Sequence, residues 1–449
     1  MPHHIVLISL DALRPDRLGF LGNLQPVSSN LDRMARESVV FRRATSPTTW
    51  TLPGHISMLS GLQPLIHGCV SARHRYPPET LPFPLVFELA AAAGFAPMAV
   101  TGGGYMEGQF GFGRGVERFE VIHPIVEGLD AVRGHMTTHE RTLSFFHTYT
   151  VHDYPRVATR PGALELARAR DPDYAGLFPT DRDFHALLNA MSISPEPPEV
   201  TERDIAFLAD LYGSAVRSAD AALGGFFKAL DEDGLLDDVT LIVTSDHGES
   251  LGESHCGRRY WSHGGPPYQE QLLVPLLIRP GAEARALLEV PGSFSEPVSL
   301  LDLAPTILDL AGAPYTRDQF DGSSLVDLCM GQVAGFETRS LTFHSCEDTE
   351  DRYLDPRLFG TALTWKGSGK LHYNHRTGAL REYYLLDCDP RETENRVDDL
   401  SQDELRRIEE VIAAFWEDVE RRALRPPAAE IEDPVVLERL AQLGYIEEH

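Results

Sequence analysis

Short, nearly unbroken runs of Ile, Val and Leu alternate along this chain with segments of helical spacing, and the first run sets the pattern. HIVLISLDAL, residues 4–13, lacks the in–out alternation of a half-exposed strand. It therefore predicts a strand buried on both faces that delivers Asp11 at its C-terminal end. NLDRMARESVVF (30–41) has helical spacing, and GHISMLSG (54–61) predicts another helix directly behind the hydroxyl-rich stretch TSPTTWTLP. LPFPLVFELAAAAGFAPMAVTGG (81–103) reads as helix, turn and strand, the strand closing at Thr101. Further on, LSFFHTYTVHDYP (143–155) reads as a strand with His152 near its end. Residues 202–234 form a long amphipathic helix stopping at Gly234, and DVTLIVTSDHGESLGE (238–253) is a strand presenting Asp246 and His247 at its C-terminal end. This alternation predicts an α/β fold with a mainly parallel central sheet and helices on both faces.

Two regions break the rhythm. Between about 156 and 203 the sequence is charged, Pro-bearing and weakly periodic, which predicts an inserted lid or flap. From about 340, SLTFHSC, TALTWKGSGKLHYN and REYYLLDC predict short antiparallel strands, and SQDELRRIEEVIAAFWEDVERRAL a capped helix. The expected organisation is a catalytic α/β domain over 1–340, a small antiparallel sheet and helix domain over 341–425, and a Pro-rich tail over 426–449 ending in a helical turn or two. The Gly-rich GGGYMEGQFGFGRG (102–115) is a second candidate for a lid that sets specificity.

Composition narrows the chemistry. With 40 Lys and Arg against 67 Asp and Glu, the net charge of −27 argues against a phosphate-tracking nucleic-acid groove. Cys69, Cys256, Cys329, Cys346 and Cys388 are odd in number and scattered, which fits reduced thiols rather than a disulfide framework. The apolar run at 5–9 is too short for a signal-peptide core, and no segment approaches membrane-spanning length, so a cytoplasmic protein without a membrane partner is expected.

Asp11, Asp246 and His247 all fall at strand ends, where open α/β sheets keep their ligands. Two carboxylates and an imidazole suit one divalent cation and leave room for a hydroxyl as fourth ligand. Thr51 fills that place. Bound to such a cation its hydroxyl would approach the alkoxide, and at the N-terminus of the helix behind it backbone N–H groups favour an anionic phosphoryl or sulfuryl group. Gly54 would allow close approach. Each residue alone has a structural alternative, because a Thr before an apolar run is most often a helix cap.

Several segments, taken together, resemble the sulfatase branch of the alkaline phosphatase superfamily: VLISLDALRPDRLG, TLPGHISMLSGLQPLIHG, HTYTVHDYP, VTSDHGESLGE, WSHGGPPYQEQLLVPLLIRPG, VSLLDLAPTILDLAG, FDGSSLVDL and YYLLDCDPRETENRVDD. The resemblance implies an α/β sandwich with a metal at the strand ends and a smaller C-terminal sheet domain. It also implies that His152 and His263 contact the transferred group or protonate the leaving oxygen, roles open to an imidazole near neutral pH. His55, in the place of a family arginine, and Thr101 are candidates for binding substrate.

The family's nucleophile segment reads C-x-P-S-R or S-x-P-S-R, and its Cys or Ser becomes formylglycine. Here Thr51, Pro53, Gly54 and His55 stand in those places. Thr cannot become that aldehyde, and CVSAR (69–73) lacks the remaining signal, so Cys69 is incidental. Thr followed by x-P-x-H resembles phosphodiesterase and phospho-transferase relatives instead. Phosphodiester or phosphonate monoester hydrolysis through a phospho-threonine is therefore expected, on a small anionic ester. The second D-x-x-x-H metal set of the phosphodiesterases is missing, and Ala12 replaces a family Asp. One ion is expected, Mn²⁺ or Ca²⁺ ahead of Zn²⁺. The alternatives are a sulfatase acting without formylglycine, a phospho-group transferase, and a catalytically silent anion-binding relative.

Overall fold

A computed structural model describes residues 3–157, 164–178, 187–188, 191, 198–288, 290–332, 336, 343–345, 361–365, 368–373 and 379–445. The strands are β1 (His3–Leu10), β2 (Val39–Thr45), β3 (His74–Arg75), β4 (Ala96–Thr101), β5 (Arg118–Val121), β6 (Arg141–Thr148), β7 (Val239–Thr244), β8 (Ser250–His255), β9 (Arg258–Ser262), β10 (Leu273–Arg279) and β11 (Gly292–Ser299). They are followed by β12 (Phe343–Ser345), β13 (Thr361–Trp365), β14 (Gly369–Tyr373), β15 (Leu380–Leu385) and β16 (Ala429–Glu430).

The central sheet runs β11-β2-β10-β7-β1-β6-β4-β5. β1 pairs in parallel with β6 and β7, and β4 in parallel with β6 and β5. β10 is antiparallel to both β7 and β2. The sheet is thus mixed but mostly parallel, as the apolar runs predict. Along β1 the side chains divide between two cores, Ile5 and Leu7 on one face, Val6, Ile8 and Leu10 on the other. Because β1, β6 and β7 run the same way, the loops after Leu10, Thr148 and Thr244 meet at one edge of the sheet. The chemistry gathers there.

A second, antiparallel sheet, β12-β13-β14-β15, carries the helix Gln402–Arg422. Ser401 caps that helix, its hydroxyl accepting from Glu404 N–H while the Glu404 carboxylate accepts from Ser401 N–H. β16 pairs with β3, and the helix Pro434–Gln442 follows, longer than the turn or two expected of the tail.

One expectation needs correction, and the two candidate lids are packed where they are described. His152 lies beyond the strand, because β6 ends at Thr148 and a turn closed by Asp153 N–H to Tyr149 O (2.8 Å) and Tyr154 N–H to Val151 O (3.1 Å) follows. Much of the expected lid at 156–203 lies outside the described residues, but its described parts pack into a core. Phe178, Leu188 and Met191 are buried there, and Tyr174 stacks on Phe207 of the helix Glu202–Glu232 at 3.8 Å. The Gly-rich 102–115 stretch is no free lid either: Tyr105, Met106, Phe110 and Phe112 are buried. Among the described cysteines, Cys69, Cys256, Cys329 and Cys388 are free thiols; Cys346 lies outside the described residues. No described helix is long and apolar enough to cross a membrane.

Candidate active site

Asp11 follows β1 directly, and the chain then turns through Ala12 with φ at +61°, a left-handed conformation that costs an Ala about 1 kcal/mol. Tertiary bonds hold it there. Ala12 N–H donates to Asp246 Oδ1 at 3.2 Å, Leu13 N–H to Ser245 Oγ at 2.8 Å, and Tyr212 OH to Ala12 O at 2.6 Å. The turn after β1 is thereby fastened to the loop after β7. Ala12, which takes the place of a carboxylate, serves that junction through its backbone.

In the β7 loop, His247 Nδ1 lies 2.7 Å from Gly248 O, a contact that requires the proton on Nδ1 and leaves the Nε2 lone pair facing inward. That nitrogen sits 3.2 Å from Asp246 Oδ2 and 3.6 Å from Asp11 Oδ1. Asp11, Asp246 and His247 are completely buried, and each offers one ligand atom within 4.8 Å of the others. Asp11 Oδ1 and Asp246 Oδ2 have no hydrogen-bond partner among the described residues. Buried acceptors converging without donors are costly unless a cation joins them. Burial and the Asp246 charge push the Asp11 carboxyl well up, whereas Asp246, against its own burial, is held low by the imidazoles of His247, His55 and His147. The donor set, two carboxylates and one imidazole, fits a divalent cation.

Thr51 is the first residue of the helix Thr51–Ser60, all of which is buried. Trp50 precedes it without a side-chain cap, so Thr51 is not the cap that the structural alternative would make it. Its Oγ1 lies 3.4 Å from Asp11 Oδ2 and 3.3 Å from His247 Nε2. The approach depends on Gly54, where an added Cβ would lie 3.0 Å from Asp246 O.

His152 and His263 lie beside the cluster. Their ring centres are 4.8 Å apart, and His263 stacks on His247 at 4.4 Å. His263 Nδ1 is 2.7 Å from Glu249 Oε2, and Tyr154 OH donates to Glu249 Oε1 at 3.1 Å, so Nε2 of His263 is the nitrogen turned toward the site. The structure thus brings together Asp11, Thr51, His152, Asp246, His247 and His263. His55 and Thr101 are not presented to a ligand. His55 Nδ1 donates to Thr51 O at 2.9 Å and Nε2 accepts from Ser9 Oγ at 2.9 Å, while Thr101 Oγ1 donates to Met106 O at 2.9 Å. Both are buried completely and hold the framework.

Sequence reasoning missed three groups. His147, inside β6, accepts Gly102 N–H on Nδ1 at 3.3 Å and donates from Nε2 to Asp11 Oδ2 at 3.0 Å, which fixes that carboxylate. A histidine within the otherwise apolar LSFFHTY is the signal that could have found it. Glu249 follows His247 by two residues in SDHGE and orients His263. Tyr445, whose hydroxyl is 2.7 Å from Thr51 Oγ1, carries no local signal at all.

Comparison with known proteins identifies the family. The steryl-sulfatase of Rattus norvegicus is 36% identical over 169 residues, 34% of this chain and 27% of that protein. Arylsulfatase A of Homo sapiens is 27% identical over 363 residues, 74% of this chain and 68% of that protein. Among solved structures, the phosphonate monoester hydrolase of Agrobacterium radiobacter superposes with a TM-score of 0.65 at 18% identity, covering 94% of this chain and 96% of that one, a likeness of fold. The family profile described as Sulfatase matches residues 3–124 and 127–313, spanning every residue of the site except Tyr445, and the chain therefore belongs to the sulfatase family of ester-bond hydrolases.

Proposed function

We propose that this protein is a metal-dependent phosphoester hydrolase, acting on phosphodiesters or phosphonate monoesters through Thr51 as nucleophile. The observation that carries the reading is the position of a threonine hydroxyl, 3.4 Å from Asp11 and 3.3 Å from His247, where the family places a formylglycine. The β-carbon of threonine bears a methyl group, so its oxidation would give a ketone and never the aldehyde. The side chain must react as an alcohol.

Asp11, Asp246, His247 and Thr51 would hold one divalent ion, Mn²⁺ or Ca²⁺ ahead of Zn²⁺. When bound it supplies positive charge that favours loss of the Thr51 hydroxyl proton to solvent and offsets charge on the transferred group. Thr51 Oγ1 then forms its bond to phosphorus as the bond from phosphorus to the leaving oxygen breaks. His263, braced by Glu249, and His152 beside it would give the departing oxygen a proton. Water attacking the phospho-threonine at phosphorus releases the product and restores the Thr51 hydroxyl. The likeness to steryl-sulfatase and arylsulfatase A favours a second reading, sulfate-ester hydrolysis by the same unmodified threonine.

The test is turnover of a chromogenic phosphodiester, a phosphonate monoester and a sulfate monoester by metal-loaded protein. Phosphorus substrates should dominate kcat/KM. A sulfate ester turned over faster than both would replace the first reading with the second.

A further inference from the structure

Thr51, Asp11, Asp246 and His247 are completely buried, and the group directly over the Thr51 hydroxyl comes from the far end of the sequence. Tyr445 OH is 2.7 Å from Thr51 Oγ1 and 3.1 Å from His152 Nε2. Its ring lies edge-on to Tyr105 at 4.7 Å and to His263 at 5.9 Å, and tilted against His152 at 5.5 Å. A tetrahedral centre must come within about 3–3.5 Å of the attacking oxygen before it reacts. The phenol oxygen stands inside that radius, on the side of the two histidines, where substrate has to arrive.

What holds the tyrosine there is a short anchored segment. Asp433 caps the helix Pro434–Gln442 by accepting from Val435 N–H at 2.9 Å; Val436 and Leu440 in the helix and Leu443 just after it are buried. Leu443 rests on Gly104, where an added Cβ would fall 2.7 Å from Leu443 Cδ1. Arg439 donates to Gly102 O at 3.2 Å and lies 5.5 Å over the Tyr149 ring. Gly444, with φ at +80°, makes the bend that aims Tyr445 inward. Three apolar side chains and one guanidinium are a modest anchorage, of the kind that opens locally while the rest of a fold stays intact.

We propose that residues 434–445 are a built-in occupant of the substrate position. Substrate and Tyr445 exclude one another at Thr51, and turnover requires the segment to swing off the site. The inference rests on the reading of Thr51 as nucleophile, and the experiment separates the two. Full-length wild type, Tyr445→Ala, Arg439→Ala and Thr51→Ala are compared on 4-nitrophenyl phenylphosphonate with Mn²⁺ present. Hydrogen exchange of the peptide covering 434–445 is followed with and without orthovanadate.

Removing the phenol should lower KM about tenfold, the worth of a hydrogen bond and its ring contacts, with kcat equal or higher. Arg439→Ala, which touches neither Thr51 nor His152 but loosens the helix, should shift KM the same way. Orthovanadate should speed exchange across 434–445 in wild type. A tenfold fall in kcat for Tyr445→Ala, or exchange across 434–445 unchanged or slowed by orthovanadate, overturns the proposal even if Thr51→Ala is inactive. Full activity of Thr51→Ala defeats the nucleophile reading instead, and the exchange response still decides the segment.

Discussion

Stripping the metal offers a quantitative handle on the site, because the structure says what the ion does for the fold. Asp11 Oδ1, Asp246 Oδ2 and the His247 Nε2 lone pair converge in a completely buried space. A cation binds that set in the folded chain only, so an ion at 100 times its Kd adds about 2.7 kcal/mol of stability. Unfolding entropy of about 2.1 cal/mol/K per residue over 449 residues amounts to about 0.9 kcal/mol/K. Dividing one by the other gives a rise of about 3 °C in Tm for a chain that unfolds as a unit. Scanning calorimetry in EDTA and then in Mn²⁺, Ca²⁺ or Zn²⁺ measures it. Asp246→Asn keeps an acceptor for Ala12 N–H but removes one of two crowded charges, so the metal-free variant should be no less stable than metal-free wild type and should lose the shift. A wild-type Tm indifferent to all three ions at millimolar concentration, or an Asp246→Asn protein that responds like wild type, would refute the reasoning.

Other perturbations follow from single contacts. Gly54→Ala puts a methyl 3.0 Å from Asp246 O and should cost about 1–3 kcal/mol together with weaker metal binding, read by denaturation and titration calorimetry; unchanged values would show that the helix yields freely. His147→Ala frees the Asp11 carboxylate and should weaken metal affinity about 10–100-fold while the fold persists. His263→Ala should lower kcat by about 10²–10⁴ with alcohols of high leaving-group pKa and far less with 4-nitrophenol, which needs no proton; equal losses on both would remove the proton-donor role. Burial pushes His67, which accepts Cys69 N–H and bonds Ser57, down to about 3. The folded chain therefore refuses a proton that the unfolded chain takes up below about 6.5, so stability is full above that pH and falls on acidification by about 1.4 kcal/mol per unit. In urea titrations at pH 7 and pH 5 on metal-saturated protein, His67→Gln should show a shallower acid dependence than wild type.

Much of this site was legible because its residues sit at the ends of strongly patterned elements. An apolar run that stops at Asp11, another that stops just before Asp246 and His247, and a helix opening at Thr51 each announce their own boundary, and a parallel sheet brings such boundaries to one edge. The illegible part is made of residues whose roles depend on packing between distant segments. His55, in the place of a family arginine, looked like a substrate-binding residue, yet the helix turns it beneath Thr51 to Ser9, which only the crossing of helix and β1 decides. His147 is one strand away from Asp11, a neighbour set by sheet order. Tyr445 reaches the centre through a segment docked by Leu443 on Gly104 and by Arg439 on Gly102 O, contacts between distant parts of the chain. The Gly-rich stretch at 102–115 reads as loose because glycine count suggests freedom, but its aromatic residues between the glycines are what the core takes up.

The covalent role of Thr51 is the centre of the account, and rapid-quench mass spectrometry tests it most directly. Metal-loaded protein mixed with a 4-nitrophenyl phosphodiester or phosphonate, stopped in acid within one turnover and digested, should carry the phosphoryl or phosphonyl group on the peptide containing Thr51, and Thr51→Ser should carry it at the same position. Label found on another residue, or product formed in a full burst with Thr51 unmodified throughout, would contradict it.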